Sequence, residues 1–578
     1  MIYRWRLALI ATLMLSFGQQ GGHARAAGPV EPPTSAESEF ASMEEARAVQ
    51  KQLRSLSDNV APALVKLTEG RRDIDERFQL QGSGVVIHPS GLILTHGHHG
   101  HPQGTVFKAT FSNGQVVDAV IDSVISGRGR DFSLLKIRKA GQYPAVPLRQ
   151  EKPPSAGERC FHFGYPSALN VVTKLSTPAL RLGRIAGAGQ FSSYANCLIV
   201  SGDSGGPLFD FDGRLIGILD ESIGPQLRHP GAWANVSRIL DGTTFLTNYD
   251  NQEVVRLGFT NAKREAVDTR RDLANKLCSE VLGPARRATV EVLLDGQSII
   301  LGTIVDTHGH VLTKRSEIMT HRGILFGKLT CRLSDGDQVN ARAVGDSRED
   351  DVALLQLSKR GLTSAPFSRP AEPLRGVIVM VPIPGKDASE TGVVSLDGAF
   401  KIESRKGRLT VPVDGRKGGV TIASAVRQRD VADLVKLMRG SISEGDVITH
   451  IEGEAIPDPA AYVRQSKNDA FVAGDFVQLS IRRNRATSQV IFPIESDNPG
   501  DSITSPSYVD VSMRLTGLPA VIIHDAIVGR RQCGGPIVDL EGNVVGVNIA
   551  RFHRCSTFAI PHQRIKQLVQ RLLSKPQL

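Results

Sequence analysis

The run Gly84-Val-Val-Ile-His-Pro-Ser-Gly91-Leu-Ile-Leu-Thr95 returns in the same chain as Gly302-Thr-Ile-Val-Asp-Thr-His-Gly309-His-Val-Leu-Thr313, with both glycines and the threonine displaced by a constant 218 residues. Self-similarity over such a distance marks a duplicated domain, so one fold must accommodate both copies. Two further segments extend the match. Asp131-Phe-Ser-Leu-Leu-Lys-Ile137 corresponds to Asp351-Val-Ala-Leu-Leu-Gln-Leu357, and Ser204-Gly-Gly-Pro207 to Cys533-Gly-Gly-Pro536. Short apolar runs broken by Gly, Asn, Asp and Pro read as β-hairpins, and many such strands close into barrels or sandwiches.

One spacing differs between the copies. Asp131 and Ser204 are 73 residues apart and Asp351 and Cys533 are 182 apart, which leaves 109 extra residues in the second copy. That is enough for a small domain. Within it, Gly419-Val-Thr-Ile-Ala-Ser424, Glu444-Gly-Asp-Val-Ile-Thr-His-Ile-Glu-Gly453 and Gly474-Asp-Phe-Val-Gln-Leu-Ser-Ile481 alternate strand and turn and resemble a PDZ domain, placed at 405–497.

Met1 to Arg6 is basic, Leu7 to Phe17 is mostly apolar, and Ala24-Arg25-Ala26 supplies small residues, so residues 1–26 are expected to be a cleaved signal peptide. The expected location is a bacterial cell envelope, periplasmic or extracellular. The apolar run is short of the roughly 20 residues a spanning helix needs, and no membrane span is expected after cleavage. Residues 27–57 read as a Pro- and Ser-rich linker followed by a helix from Glu39 to about Leu56. Six cysteines are too sparse to be the main source of stability, with Cys160 and Cys197, and Cys533 and Cys555, the pairs to test for bridges. The net charge of +10 comes from scattered Lys and Arg without interleaved aromatics, which points to a solvated surface and away from nucleic acid.

The string Gly202-Asp-Ser-Gly-Gly-Pro207 lies between the apolar runs Leu198-Ile-Val200 and Leu215-Ile-Gly-Ile-Leu219. Such a turn presents one hydroxyl and lets the backbone N–H groups of Gly202 and Ser204 face an oxygen on which negative charge develops. A serine needs a positioned base, which His98 in Leu94-Thr-His-Gly-His98 can supply, and Asp131 is placed to fix the imidazole and stabilise its charged form. The cluster His96, His98, His99 and His101 invites a metal reading, imidazole being a common ligand. No matching carboxylate or cysteine spacing accompanies it, and neither a metal nor an organic cofactor is expected.

In order, spacing and turn sequence, His98, Asp131 and Ser204 resemble the trypsin-like (chymotrypsin-fold) serine proteases, and among them the bacterial HtrA/Deg type, over about residues 58–245, with Trp233-Ala-Asn-Val236 matching a late strand. The resemblance implies a mainly β fold of tandem trypsin-like double β-barrel domains, the second interrupted by the PDZ-like α+β module. The boundaries are 58–248 for the active domain, 249–284 for a helical linker, and 285–404 with 498–574 for a degenerate copy. It implies a serine endopeptidase that cleaves exported, misfolded polypeptides through an acyl-enzyme on Ser204. Departures are His96, where the family usually has Asn, and His99, where it has a small residue. Leu198, six before the nucleophile, implies an apolar or small-residue preference. In the second copy Ser316 stands at the position of His98, beside Asp351 and Cys533, so the base is missing and this domain is expected to be non-catalytic. Implied partners are polypeptide substrates and a peptide added as a strand to the PDZ-like module, and a homo-oligomer is compatible with the chain. The competing reading is a catalytically idle, peptide-binding or chaperone-like scaffold.

Overall fold

The computed structural model describes residues 40, 42–69, 81–97, 100–127, 130–149, 154–155, 157–173, 177–188, 192–197, 199–223, 233–237, 279–367, 374–384, 389–414, 420–423, 442–497, 511–553 and 555–574. The fold is mainly β. Six strands from Leu64–Glu69 to Arg130–Ile137 close into a barrel in which the first, second and third strands are followed by the sixth, fifth and fourth. Six more, from Arg159–Gly164 to Trp233–Ser237, close a second barrel with the same order, and six from Thr289–Leu294 to Val352–Leu357 close a third.

The repeat read from sequence is a repeat of registers. Val85 faces Leu94 across the second and third strands of the first barrel as Thr303 faces Leu312 in the third barrel. Thr95 pairs with Ser133, and Thr313 with Ala353. The conserved spacing of Gly91 and Gly309 has a backbone cause, because both turn residues sit at positive φ, +88° and +86°, where an L side chain is strained. Apolar residues on these strands, among them Val85, Ile93, Leu135, Val290 and Leu355, are buried in one continuous core that spans both copies.

After the third barrel, the strands Ile378–Pro382, Ser389–Val393, Phe400–Ile402, Leu518–His524, Pro536–Val538, Val544–His553 and Ser556–Pro561 form a seven-stranded sheet. The isolated bridge between Val394 and His524 joins the end of the edge strand Ser389–Val393 to Leu518–His524, the strand next to the opposite edge. Between Ile402 and Leu518 the chain builds a six-stranded sheet and the helix Pro459–Ser466, capped by Asp458, whose carboxylate accepts the Ala461 N–H at 2.7 Å. This insertion has its own core around Val420, Ile448, Leu479 and Phe492. It is tied to the third barrel by Thr320 Oγ1 donating to Glu452 at 2.9 Å and to the later chain by the Arg514–Asp475 ion pair at 3.1 Å.

The leading helix runs Met43–Val60, later than the pattern from Glu39 indicated, because Ser42 is its N-cap and accepts the Glu45 N–H at 3.0 Å. It buries Val49 and Leu53 and links the two copies: Gln50 accepts the Ile378 N–H at 2.8 Å, and Glu45 and Asp58 each pair at 2.5 Å, with Arg159 and Arg375. Among the described residues no helix is long and apolar enough to cross a membrane.

Candidate active site

The turn Gly202–Gly206 hangs between the first two barrels. Gly202 has φ +93°, and a Cβ there would come within 2.4 Å of Ser167 Oγ and 2.5 Å of the Tyr165 carbonyl, so only glycine fits. The turn is closed by the Asp203 N–H donating to the Val200 carbonyl at 3.0 Å, the Gly206 N–H to the Asp203 carbonyl at 2.8 Å, and the Val200 N–H to the Asp203 carboxylate at 2.8 Å.

The first barrel holds this turn through Ser83. Its backbone N–H donates to the Ser204 carbonyl at 2.9 Å, while its hydroxyl donates to the Gly202 carbonyl at 2.7 Å and accepts the Tyr165 N–H at 2.8 Å. Thr95 Oγ1 in turn donates to the Ser83 carbonyl at 2.6 Å. Ser204 is left partly exposed. Because Thr95 is paired with Ser133 on an antiparallel strand, the strand Leu92–Thr95 ends beside the start of the strand that carries Asp131. The backbone of Asp131 lies in the strand Arg130–Ile137, opposite Ser126. The side chain of Asp131, and His98, His99 and Leu198, lie outside the described residues. Of the remaining histidines in that cluster, His96 is buried with Nδ1 3.3 Å from Thr95 Oγ1, and His101 packs edge-on to Phe107 with ring centres 5.2 Å apart.

The second copy repeats the backbone bond and the threonine bond of this scaffold, but not those of the Ser83 hydroxyl, since Leu301 stands there. The Leu301 N–H donates to the Cys533 carbonyl at 3.1 Å, and Thr313 Oγ1 to the Leu301 carbonyl at 2.7 Å. The N–H groups of Gly205 and Gly534 both reach the next strand, at the carbonyls of Leu219 and Asn548, each at 2.7 Å.

The chemistry differs. Ser316 donates to Asp351 through both its N–H and its hydroxyl, each at 2.9 Å, and the buried Lys314 ammonium forms an ion pair with the same carboxylate. Lys314 also donates to the Arg514 carbonyl at 3.2 Å. Burial opposes the charge on Asp351, but Lys314 above all, with Arg514 and the hydrogen bonds, holds its carboxyl below the usual range. Cys533 is fully buried, and burial pushes its thiol up to about 11 although Lys314 and the Ser512 hydroxyl at 3.6 Å pull the other way. Ser316 thus stands where the first copy has His98, and a buried thiol whose pKa is raised stands where it has Ser204.

All five described cysteines are free thiols. Cys160 and Cys197 face each other through a side-chain hydrogen bond, whereas Cys533 turns to Ser512 and Cys555 to His553; Cys278 lies outside the described residues.

Two contributors escaped the reading of motifs. One is Ser83. The other is Arg181, whose guanidinium is 3.0 Å from the Asp203 carboxylate with both side chains fully buried. Its only trace in the sequence is a lone cation in the apolar strand Ala179-Leu-Arg-Leu182.

Residues 82–218 match the family model described as a trypsin-like peptidase domain. The chain is 30% identical over 169 residues to the serine protease HTRA1A of Danio rerio, covering 28% of this chain and 35% of that protein. It is 29% identical over 185 residues to the serine protease HTRA3 of Homo sapiens, covering 30% and 39%. To the serine endoprotease DegS of Escherichia coli K12 it is 27% identical over 164 residues, covering 27% and 45%. The chain thus spans less than half the length of these curated relatives.

Proposed function

Taking residues 82–218 as a trypsin-like peptidase domain related to the HtrA and DegS serine proteases, we propose that the chain is a serine endopeptidase with the working triad His98, Asp131 and Ser204. The observation that carries this is the Gly202–Gly206 turn, which only glycine can enter at position 202 and which Ser83 and Thr95 hold at the seam of two barrels. Ser204 attacks the scissile carbonyl, His98 takes the hydroxyl proton and returns it to the leaving amine, and Asp131 orients the imidazole. The N–H groups of Gly202 and Ser204 receive the oxyanion, each donor being worth ~3 kcal/mol of barrier.

The second copy supplies a template for the pairing of His98 with Asp131. At the corresponding positions Ser316 and Asp351 are in direct contact, so the backbone scaffold brings these two places within hydrogen-bonding distance. Substrates are exported polypeptides in unfolded segments, cleaved after apolar or small residues facing Leu198, and the insertion after Ile402 is a PDZ-like module that takes an extended peptide at a sheet edge. The protein works in the cell envelope, after loss of residues 1–26.

An active-site fluorophosphonate tests this reading. It is expected to label wild type on Ser204, with labelling lost in Ser204→Ala and His98→Ala, and casein digestion is expected to follow the same pattern. A chain that neither labels nor digests casein is the idle scaffold instead.

A further inference from the structure

The second copy touches the first copy directly at Val200, just before the nucleophile turn, and reaches the following residues through first-copy neighbours that it packs against. Val200 packs with Ile527 and Cys555 of the second copy. The carbonyl of Ser201 accepts the Ser167 N–H at 2.9 Å, and Gly202 is pressed against the same Ser167. Ser167 opens the helix Ser167–Thr173, whose Leu169 and Val172 are buried in an apolar cluster made chiefly by the second copy, with Leu396, Ile402, Leu515 and Leu518. Asp203 is paired with Arg181.

Arg181 is itself anchored from the far side. The preceding residue, Leu180, donates its N–H to the Ser395 carbonyl at 3.0 Å, which joins this strand to the seven-stranded sheet. Burial disfavours the guanidinium charge, but Asp203 first, and then Cys555 and Asp525 of the second copy, raise its pKa. Asp525 is buried, with one carboxylate oxygen accepting the Val393 N–H at 2.7 Å.

We propose that the second copy is an intramolecular positioning element for the first, holding the Gly202–Ser204 turn in its working conformation through the helix Ser167–Thr173 and through the strand that Leu180 ties to Ser395, which carries Arg181, the positioning residue paired with Asp203. A carboxylate as deeply buried as Asp203 stays ionised only beside a cation, and without one it protonates or pulls the turn apart. Either outcome rotates the peptide units that carry the Gly202 and Ser204 N–H groups. Duplication has therefore kept the barrel scaffold while discarding its chemistry, because the scaffold supports the neighbouring site. The catalytic consequence rests on the protease reading above; the ordering of the turn does not.

The test uses the full chain and four variants. Arg181→Met removes the cation, Arg181→Lys restores it, and Asp525→Asn removes a charge in the second copy while keeping the oxygen that accepts the Val393 N–H. Glu541→Gln is the control, since it breaks an ion pair of the second copy with Arg47 of the leading helix, in which both side chains are about half exposed. The readouts are the rate of Ser204 phosphonylation, kcat and KM on a chromogenic peptide, and deuterium exchange of the peptide covering residues 201–206.

Arg181→Met is expected to slow phosphonylation and kcat about 100-fold with KM within about twofold, and Asp525→Asn to slow them about tenfold. Both are expected to speed exchange in the turn, with Arg181→Lys partly restored and Glu541→Gln unchanged. If wild type labels and both Arg181→Met and Asp525→Asn label and exchange as wild type does, the proposal is overturned. If wild type does not label, the protease reading fails, and the exchange data alone decide whether the second copy orders the turn. Should Arg181→Met not fold, Asp525→Asn decides.

Discussion

Ser316 is bonded twice to Asp351, its backbone N–H to one carboxylate oxygen and its hydroxyl to the other, each at 2.9 Å. The buried Lys314 ammonium, two residues earlier, sits on the same carboxylate. Asp351 is thereby the centre of a buried structural ion pair.

Cys533 is expected to behave as a core thiol. With its pKa near 11 and no exposed surface, it should react with iodoacetamide at pH 7.5 at least 10²-fold more slowly than an exposed cysteine. Ser316→His alone should not speed it, because Lys314 still holds Asp351 and burial still disfavours the thiolate. Peptide mapping of alkylated native protein measures this, and rapid labelling of Cys533 in the wild type would contradict it.

Lys314→Met should destabilise the protein by about 3–5 kcal/mol in urea unfolding, since it strands a fully buried carboxylate. The double variant Lys314→Met, Asp351→Asn should recover at least half of the loss. The sign with pH follows from the depressed Asp351 value: its contribution is present above the unfolded pKa of 3.8 and is lost as pH falls through the lower folded value. Asp351→Asn should therefore flatten the stability curve below about pH 4. Equal acid sensitivity in both proteins would show that the pairing is energetically idle.

Ser83→Ala removes one hydroxyl that serves both the Gly202 carbonyl and the Tyr165 N–H in a buried site. Two backbone groups lose their partner, which costs about 1–3 kcal/mol. Phosphonylation of Ser204 should slow in parallel, because the Gly202 peptide is no longer fixed. Calorimetry and labelling on the same preparation check both effects, and an unchanged labelling rate would separate Ser83 from the site.

What the sequence disclosed about this architecture was whatever backbone geometry makes obligatory. Gly91 and Gly309 recur because their turns demand positive φ, and Thr95 and Thr313 because each caps the carbonyl of the facing strand, at Ser83 and at Leu301. The nucleophile turn was legible for the same reason, through Gly202. Long-range charge pairing leaves no such periodic mark. Arg181 meets Asp203, 22 residues on, and Leu180 beside it bonds Ser395, more than 200 residues away, so neither contact could be read locally. Ser42 displaced the start of the leading helix because a capping hydroxyl outweighed the helical pattern that began at Glu39.

Three buried histidines set the acid limit of the fold. Burial first, and then the Arg181 charge, holds His162 well below its ordinary value. Burial and the arginines around it, Arg348 first, bring His321 down to about 4. Burial likewise lowers His524 to about 4, although its hydrogen bond to Asn548 at 2.8 Å works in the opposite direction. Each group is neutral when folded and protonated when unfolded between those values and the ordinary pKa of about 6.5, so unfolding takes up protons there. Stability should be fully present above pH 6.5 and fall as pH drops towards 4, with His321 and His524 together contributing nearly two protons of uptake at pH 5 and His162 acting in the same direction. His524→Gln should lower the measured uptake by about one and reduce the slope of unfolding free energy against pH in proportion. Urea unfolding at half-unit steps from pH 7 to pH 4.5 supplies both slopes, and identical slopes would mean that His524 protonates as readily in the fold as out of it.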